Sequence, residues 1–171
     1  MRSALNFVHL LIPEKMDVAI DATVGRGRDS LLLAQRSKKL IGFEIQKEAL
    51  QEAAILLRDY DVSLYNHCHS QMDKFVKSGV DLIMFNLGYL PGGDKALCTD
   101  PSTTELAIRK GLKLLKVGGI ILIVAYTHSR GLEEIKMLEN LNISQKEADV
   151  FRFIHHNGIN QPPQAWVLVK K

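Results

Sequence analysis

The sequence predicts an α/β protein whose sheet of seven strands is mostly parallel and ends in an antiparallel hairpin. Three observations carry that expectation. Short continuous apolar runs alternate with helical patterns along residues 18–141, as expected of right-handed βαβ crossovers covering a sheet on both faces. A turn carrying Gly25 and Gly27 follows the first of these runs. The last two β-rich runs are separated by a loop of Gly, Asn and Pro with no helix, so they must pair antiparallel.

Taken in order, residues 4–11 have helical spacing and Pro13 stops them. Residues 18–22 are a short apolar strand running into the glycine turn, and 30–35 are helical. Residues 40–43 form the next strand, ending at Glu44, before a helix over 47–58. Residues 62–65 read as a short strand, and 80–85 as a buried one ending at Asn86. A helix over 103–115 follows Pro101, and Gly118 and Gly119 lead into the strand 120–125. Residues 133–141 are helical, and 146–154 and 165–169 are the closing strands. Five βα units followed by a hairpin is the Rossmann-like arrangement of S-adenosylmethionine (SAM)-dependent methyltransferases rather than the six-parallel-strand dinucleotide fold. At 171 residues the chain suits one domain, 1–171. Residues 86–102 are too long for an ordinary connection and read as functional.

Composition narrows the class further. Hydrophobic residues make up 46% and charged residues 24%, with a net charge of +3; an RNA partner is compatible with this balance but not required by it. Cys68 and Cys98 form no CxxC pair and no metal-ligand spacing, so free thiols in a reducing cytosol are expected, and no metal. The longest apolar run, 120–126, falls far short of the roughly 20 residues that cross a bilayer. Asn6 and His9 interrupt the apolar start, which argues against a signal peptide. The expected location is the cytoplasm, with no membrane association.

The turn after the first strand reads Asp21-Ala22-Thr23-Val24-Gly25-Arg26-Gly27-Arg28-Asp29. Gly25 and Gly27 allow close backbone approach to a ligand. The third glycine of the dinucleotide fingerprint is replaced by Ser30, and no P-loop is present, so a ligand without a pyrophosphate is favoured. SAM is such a ligand. Asp29 is placed either to cap the next helix or to meet the cationic methionine end. Glu44 stands 23 residues past Asp21, where a carboxylate can accept both ribose hydroxyls. His69 follows the third strand and is either an adenine contact or a surface histidine.

The fourth strand runs into Phe85-Asn86-Leu87-Gly88-Tyr89-Leu90-Pro91-Gly92-Gly93-Asp94-Lys95. Asn86 sits where amino-methyltransferases place the side-chain oxygen that aims an amine lone pair at the methyl group, which is catalysis by orientation. Tyr89 offers an aromatic wall for a nucleobase, and Gly92 and Gly93 let the loop wrap a substrate. The alternative is a structural turn, since Gly-Gly-Asp is common turn chemistry.

These motifs together resemble the YtqB-like rRNA methylase family. The match is carried by D-A-T-x-G-x-G-x-D, by Glu44-Ile45-Gln46, by F-N-L-G-Y-L-P-G-G-D-K and by a terminal N-x-x-N-x-P-P (Asn157, Asn160, Pro162, Pro163). The family's MnmM-type members are tRNA wobble-uridine methyltransferases. The resemblance implies SAM-dependent N-methylation of 5-aminomethyl-uridine, often 2-thiolated, in a tRNA anticodon loop, and a homodimer. It implies that Asp21, Thr23, Gly25, Gly27, Asp29, Glu44, Ile45, Gln46 and His69 surround the cofactor, together with Asn86, Leu87 and Gly88. Asn86, Tyr89 and Asp94 are the implied catalytic residues. Tyr89, Gly92, Gly93, Asp94, Lys95, Tyr126, His128, Asn157, Asn160 and Pro162 are the implied acceptor contacts.

Three positions depart from the family pattern. Glu44 replaces the usual Asp, Tyr126-Thr127-His128 is one residue shorter than Tyr-x-Gly-His, and Gly158 replaces a Gln. The implied mechanism is in-line displacement by a neutral amine, with Asp94, Tyr126 or His128 taking the proton. Arg109, Lys113 and Lys116 share a helix face by their spacing and are candidate phosphate contacts, with Arg26 and Arg28 as further ones. The competing readings are a methyltransferase for ribosomal RNA or a small amine, and a SAM-binding protein without catalysis.

Overall fold

The computed structural model describes residues 3–88, 90, 92, 98–127 and 129–171. Its first helix, α1 (Ala4–Leu10), is capped by Ser3, whose hydroxyl accepts the Asn6 N–H. Five βα steps follow: β1 (Met16–Asp21), α2 (Arg28–Arg36), β2 (Ser37–Phe43), α3 (Lys47–Leu56), β3 (Val62–Tyr65), a 3₁₀ helix (His69–Lys74), β4 (Val80–Asn86), α4 (Pro101–Leu114), β5 (Leu115–Ala125) and α5 (Ser129–Glu139). β6 (Ala148–Phe153) and β7 (Gln164–Lys170) close the chain. The strands form one sheet in the order β3-β2-β1-β4-β5-β7-β6. All pairs are parallel except β5–β7 and β6–β7. The expected seven-stranded sheet with a terminal hairpin is therefore present, with one refinement: β7 pairs on both sides and β6 is the edge.

The core lies in two layers, one on each face of the sheet. β4 divides between them by its period of two: Ile83 and Phe85 join one layer, Leu82 and Met84 the other. The first layer is closed by Ala107, Ile108 and Leu112 of α4 and by Met72 of the 3₁₀ helix. The second is closed by Val8 of α1, Leu33 of α2 and Ala53 of α3. A β4 buried at every position from Val80 to Phe85 is what an apolar run without alternation predicts.

Some boundaries differ from the sequence pattern for physical reasons. β2 begins at Ser37, because Met16 and Val18 pair with Ser37 and Lys39 through backbone that side-chain polarity does not reveal. α4 ends at Leu114, and Leu115 already pairs with Val80. The register then shifts before Leu82 meets Ile120, so residues 116–119 bulge from the ladder, with Gly118 at φ +77. Lys116 is consequently on a strand and not on the basic face predicted for α4. It pairs with Asp81, while Arg109 is engaged by Glu105 at 2.8 Å. Cys68 is a free thiol. Among the described residues no helix is long and apolar enough to cross a membrane.

Candidate active site

β1 is flanked by β2 on one side and β4 on the other, so the connections diverge between β1 and β4, and in open α/β sheets ligands bind at the strand carboxyl ends beside such a switch point. A cavity of about 890 Å³ lies there, lined by the glycine turn, the end of β2, the turn before the 3₁₀ helix, the end of β4 and Tyr126.

The glycine turn is built from beneath. Asp21 is 1% exposed and accepts the Thr23 N–H at 3.0 Å and the Ser30 hydroxyl at 2.6 Å. Burial pushes its carboxyl up to about 7, partly offset by the Ser30 hydrogen bond. Ser30, standing where a dinucleotide fold has its third glycine, thus anchors the turn. Asp21 itself is not part of the cavity wall; it shapes the turn that is. Gly25, at φ +52, donates its N–H to Glu44 Oε2 at 2.8 Å, and Gln46 N–H donates to Glu44 Oε1 at 2.8 Å. Each carboxylate oxygen keeps a second lone pair for another donor. Ile45, Gln46 and Thr23 join Gly25 and Glu44 in the wall.

Gly27 does something other than the close ligand approach expected of it. It lies outside the wall, at φ +84, and a Cβ there would sit 3.1 Å from the Ala53 Cβ. Its absent side chain lets α2 and α3 pack together.

His69 is 7% exposed, and its Nδ1–H donates to the Ala22 carbonyl at 3.1 Å. Burial lowers its pKa to about 4, so the ring is neutral. Nε2 is then a bare acceptor, buried and without a hydrogen-bond partner, on a ring that lines the cavity. The surface alternative for this histidine is thereby set aside.

Asn86 ends β4 and is held at three points. Its backbone N–H donates to Thr23 Oγ1 at 2.8 Å, and its Nδ2 donates to Asp29 Oδ2 at 2.8 Å. The same side chain meets the Tyr126 phenol, whose pKa is raised first by burial and then by the Asp29 charge, with the Asn86 hydrogen bond as a partial offset. Oδ1 is buried and has no partner. Buried polar atoms are ordinarily satisfied, so a solitary acceptor at the carboxyl edge of the sheet is a candidate ligand position. Asp29 also meets His9 of α1, Nε2 to Oδ1 at 2.9 Å.

Leu87 and Gly88 continue the wall, and Gly88 exchanges two hydrogen bonds with Thr99, through Thr99 Oγ1 at 2.9 Å and the Thr99 N–H at 3.0 Å. Gly92 also lines the cavity. Asn157, Asn160 and Pro162 are on the β6–β7 loop and do not line the cavity, although this loop leans on the strand end beside Tyr126, where the Thr127 hydroxyl donates to the Gln161 carbonyl. Tyr89, Gly93, Asp94, Lys95 and His128 lie outside the described residues. Among the described residues no group of three or more His, Cys, Asp or Glu could hold a metal ion. His9 carries no motif and was not legible as a site residue, because its contact lies twenty residues along the chain; Thr99 falls within the 86–102 stretch read as functional but has no motif of its own.

The sheet order and the site at its switch point define a Rossmann-like methyltransferase fold. The chain belongs to the family described as "Putative rRNA methylase", whose model matches residues 40–170. A Clostridium thermocellum protein of the same description is 33% identical, with a TM-score of 0.94 over 100% of this chain and 99% of that one. SMU.1697c of Streptococcus mutans, "a putative methyltransferase … in complex with SAH", is 30% identical with a TM-score of 0.91, over 100% and 99% of the two chains. A chloroplastic tRNA (mnm(5)s(2)U34)-methyltransferase of Arabidopsis thaliana is 35% identical over 144 residues, 74% of this chain. The chain spans about half the length of that curated relative, 53%.

Proposed function

We propose that this protein is a SAM-dependent methyltransferase that N-methylates 5-aminomethyl-(2-thio)uridine at the wobble position of tRNA, giving 5-methylaminomethyl-(2-thio)uridine. The observation that carries the amine acceptor is the uncommitted Oδ1 of Asn86, a buried acceptor whose amide hydrogens are directed elsewhere. An amine N–H is the partner it lacks, and a neutral amide oxygen holds that nitrogen without the charge that would favour an ammonium. The similarity to a tRNA wobble-position methyltransferase supports the RNA part of the reading.

The residues present fit SAM. Glu44 has lone pairs left for ribose hydroxyls, Gly25 lines the cavity beside it at a left-handed φ that glycine tolerates, and the bare His69 Nε2 suits an amino-group donor such as that of adenine. When bound, SAM supplies an activated methyl group. The chain's own contribution is orientation: Asn86 Oδ1 fixes the acceptor nitrogen, and the Gly88–Thr99 pair fixes the loop that follows. Tyr126 keeps its proton at neutral pH, since burial and Asp29 raise its pKa, so it serves as a hydrogen-bonding wall and not as the base. The reading places the enzyme in the cytoplasm as a homodimer.

Purified protein incubated with SAM and an anticodon stem-loop carrying 5-aminomethyl-2-thiouridine should convert that nucleoside to its N-methyl form, read by nucleoside mass spectrometry. Methylation of ribosomal RNA or free amines, with the stem-loop untouched, would replace this reading.

A further inference from the structure

The amide of Asn86 is chemically useful only in one of its two flips, and its immediate neighbour in that choice is Asp29. A carboxylate accepts hydrogen bonds and donates none, so with Asp29 Oδ2 at 2.8 Å the nitrogen must face Asp29 and Oδ1 must face away. Asp29 is itself on the second residue of α2 and is free to rotate about its own side-chain bonds unless something holds the other oxygen. His9 does so, with Nε2 2.9 Å from Oδ1. His9 comes from α1, an element before the whole sheet, packed against β5 and β7. Its side chain is 28% exposed and that of Asp29 16% exposed, so the pair is largely shielded from competing water. The imidazole is not part of the cavity wall, whereas Asp29 and Asn86 both are.

We infer that His9 is a positioning residue for methyl transfer: through Nε2–H it holds Asp29 in the rotamer that keeps the Asn86 carbonyl oxygen turned toward the acceptor. His9 lies outside the cavity wall, and α1, whose Leu5 is in that wall, reaches Asn86 by way of two hydrogen bonds. This inference rests on the amine-acceptor reading above for its kinetic consequence, but not for its structural one. The chemistry asks for a donor at the position of Nε2, a group glutamine reproduces with its own Nε2 and phenylalanine does not.

The test compares His9→Gln and His9→Phe with the wild-type chain in two measurements. The first is the side-chain ¹H–¹⁵N amide pair of Asn86, assigned by its absence in Asn86→Asp and followed without any acceptor. Its hydrogen exchange should be slow in the wild type and in H9Q and fast in H9F. The second is turnover on the stem-loop, where H9F should lower kcat about tenfold or more, the scale of a misplaced reacting group, with the SAM dissociation constant within about twofold and H9Q restoring most of the rate. Melting temperatures of the three proteins separate this from loss of fold. Equal exchange in all three proteins, or a kcat in H9F equal to wild type, overturns the inference. A rate lost equally in H9Q and H9F does so too. Protected exchange that behaves as expected beside a wild-type protein inactive on the stem-loop would overturn the amine-acceptor reading and leave the positioning role standing.

Discussion

At the scale of single residues, the site depends on where a few polar atoms are left without partners. Asn86→Ala removes the lone acceptor but leaves the backbone bond to Thr23. Turnover should fall about 10²-fold or more while SAM affinity by calorimetry stays close to wild type; a near wild-type rate would make Asn86 structural. Asn86→Asp sets a second carboxyl against Asp29 in place of a donor. One of the two must then hold a proton or the pair must part, and the pH optimum of kcat should move upward. A second prediction concerns protons already trapped. Asp21 and Glu134, each 1% exposed, are both raised by burial to about 7 from ordinary values of 3.8 and 4.5. Between about pH 4 and 7 the native state therefore keeps protons that the unfolded chain releases, so their stabilising contribution is complete below pH 4 and is lost as the pH rises through 7. Urea unfolding should give a lower stability at pH 8 than at pH 5, and Asp21→Asn and Glu134→Gln should each flatten that slope. Legibility differed sharply among residues: Asn86 and Glu44 stood at strand ends that apolar runs announce, whereas His9 meets Asp29 twenty positions away in sequence, through a helix packing that no local pattern encodes.

At the scale of elements, the glycines separate two jobs that look alike in a sequence. Gly25 and Gly27 are spaced as a ligand-binding pair, yet only Gly25 lines the cavity, and Gly27 faces Ala53 of α3. Gly27→Ala should therefore act first on stability, by about 1–3 kcal/mol through overpacking at a left-handed backbone position. Calorimetry on the folded fraction should find SAM affinity changed little; abolished binding in a protein of unchanged melting temperature would return Gly27 to the ligand. The strands β4 and β5 were legible because both faces are buried, and the hairpin because nothing helical intervenes. The start of β2 and the register shift at the start of β5 were not, since backbone pairing there proceeds under lysines and a glycine pair. The 3₁₀ helix escaped too, being a single short segment whose anchor, Met72, is one apolar residue among polar ones.

At the scale of the whole molecule, charge is distributed less generously than its count suggests. Arg109, Lys110 and Lys116 are committed to Glu105, Asp73 and Asp81. Arg28 lines the cavity, is exposed, and has no ion pair among the described residues. RNA phosphates are therefore expected at Arg28 more than at Arg109, with Lys113 the α4 cation of the predicted face that has no ion pair among the described residues. Arg28→Ala should weaken stem-loop binding at every sequence and lower the slope of log Kd against log salt by about 1, whereas Arg109→Ala should leave that slope alone. An unchanged slope in Arg28→Ala, or a lowered one in Arg109→Ala, would reverse the assignment. The overall topology was legible from alternation and the missing last crossover. The insertion of β7 between β5 and β6 was not, because antiparallel pairing by itself leaves open which strand takes the edge.

That insertion has a consequence for how the molecule comes into being. The strand that completes the β5 edge is the seventh and last of the sheet to be synthesised. At about 5–20 residues per second on a ribosome, β5 waits some seconds for it. Throughout that interval the row from Ile120 to Ala125, destined to pair with β7, is an open template of backbone donors and acceptors on an apolar strand. The nascent chain thus passes through a stage in which the strands of its parallel half are made while the β5 edge still awaits β7.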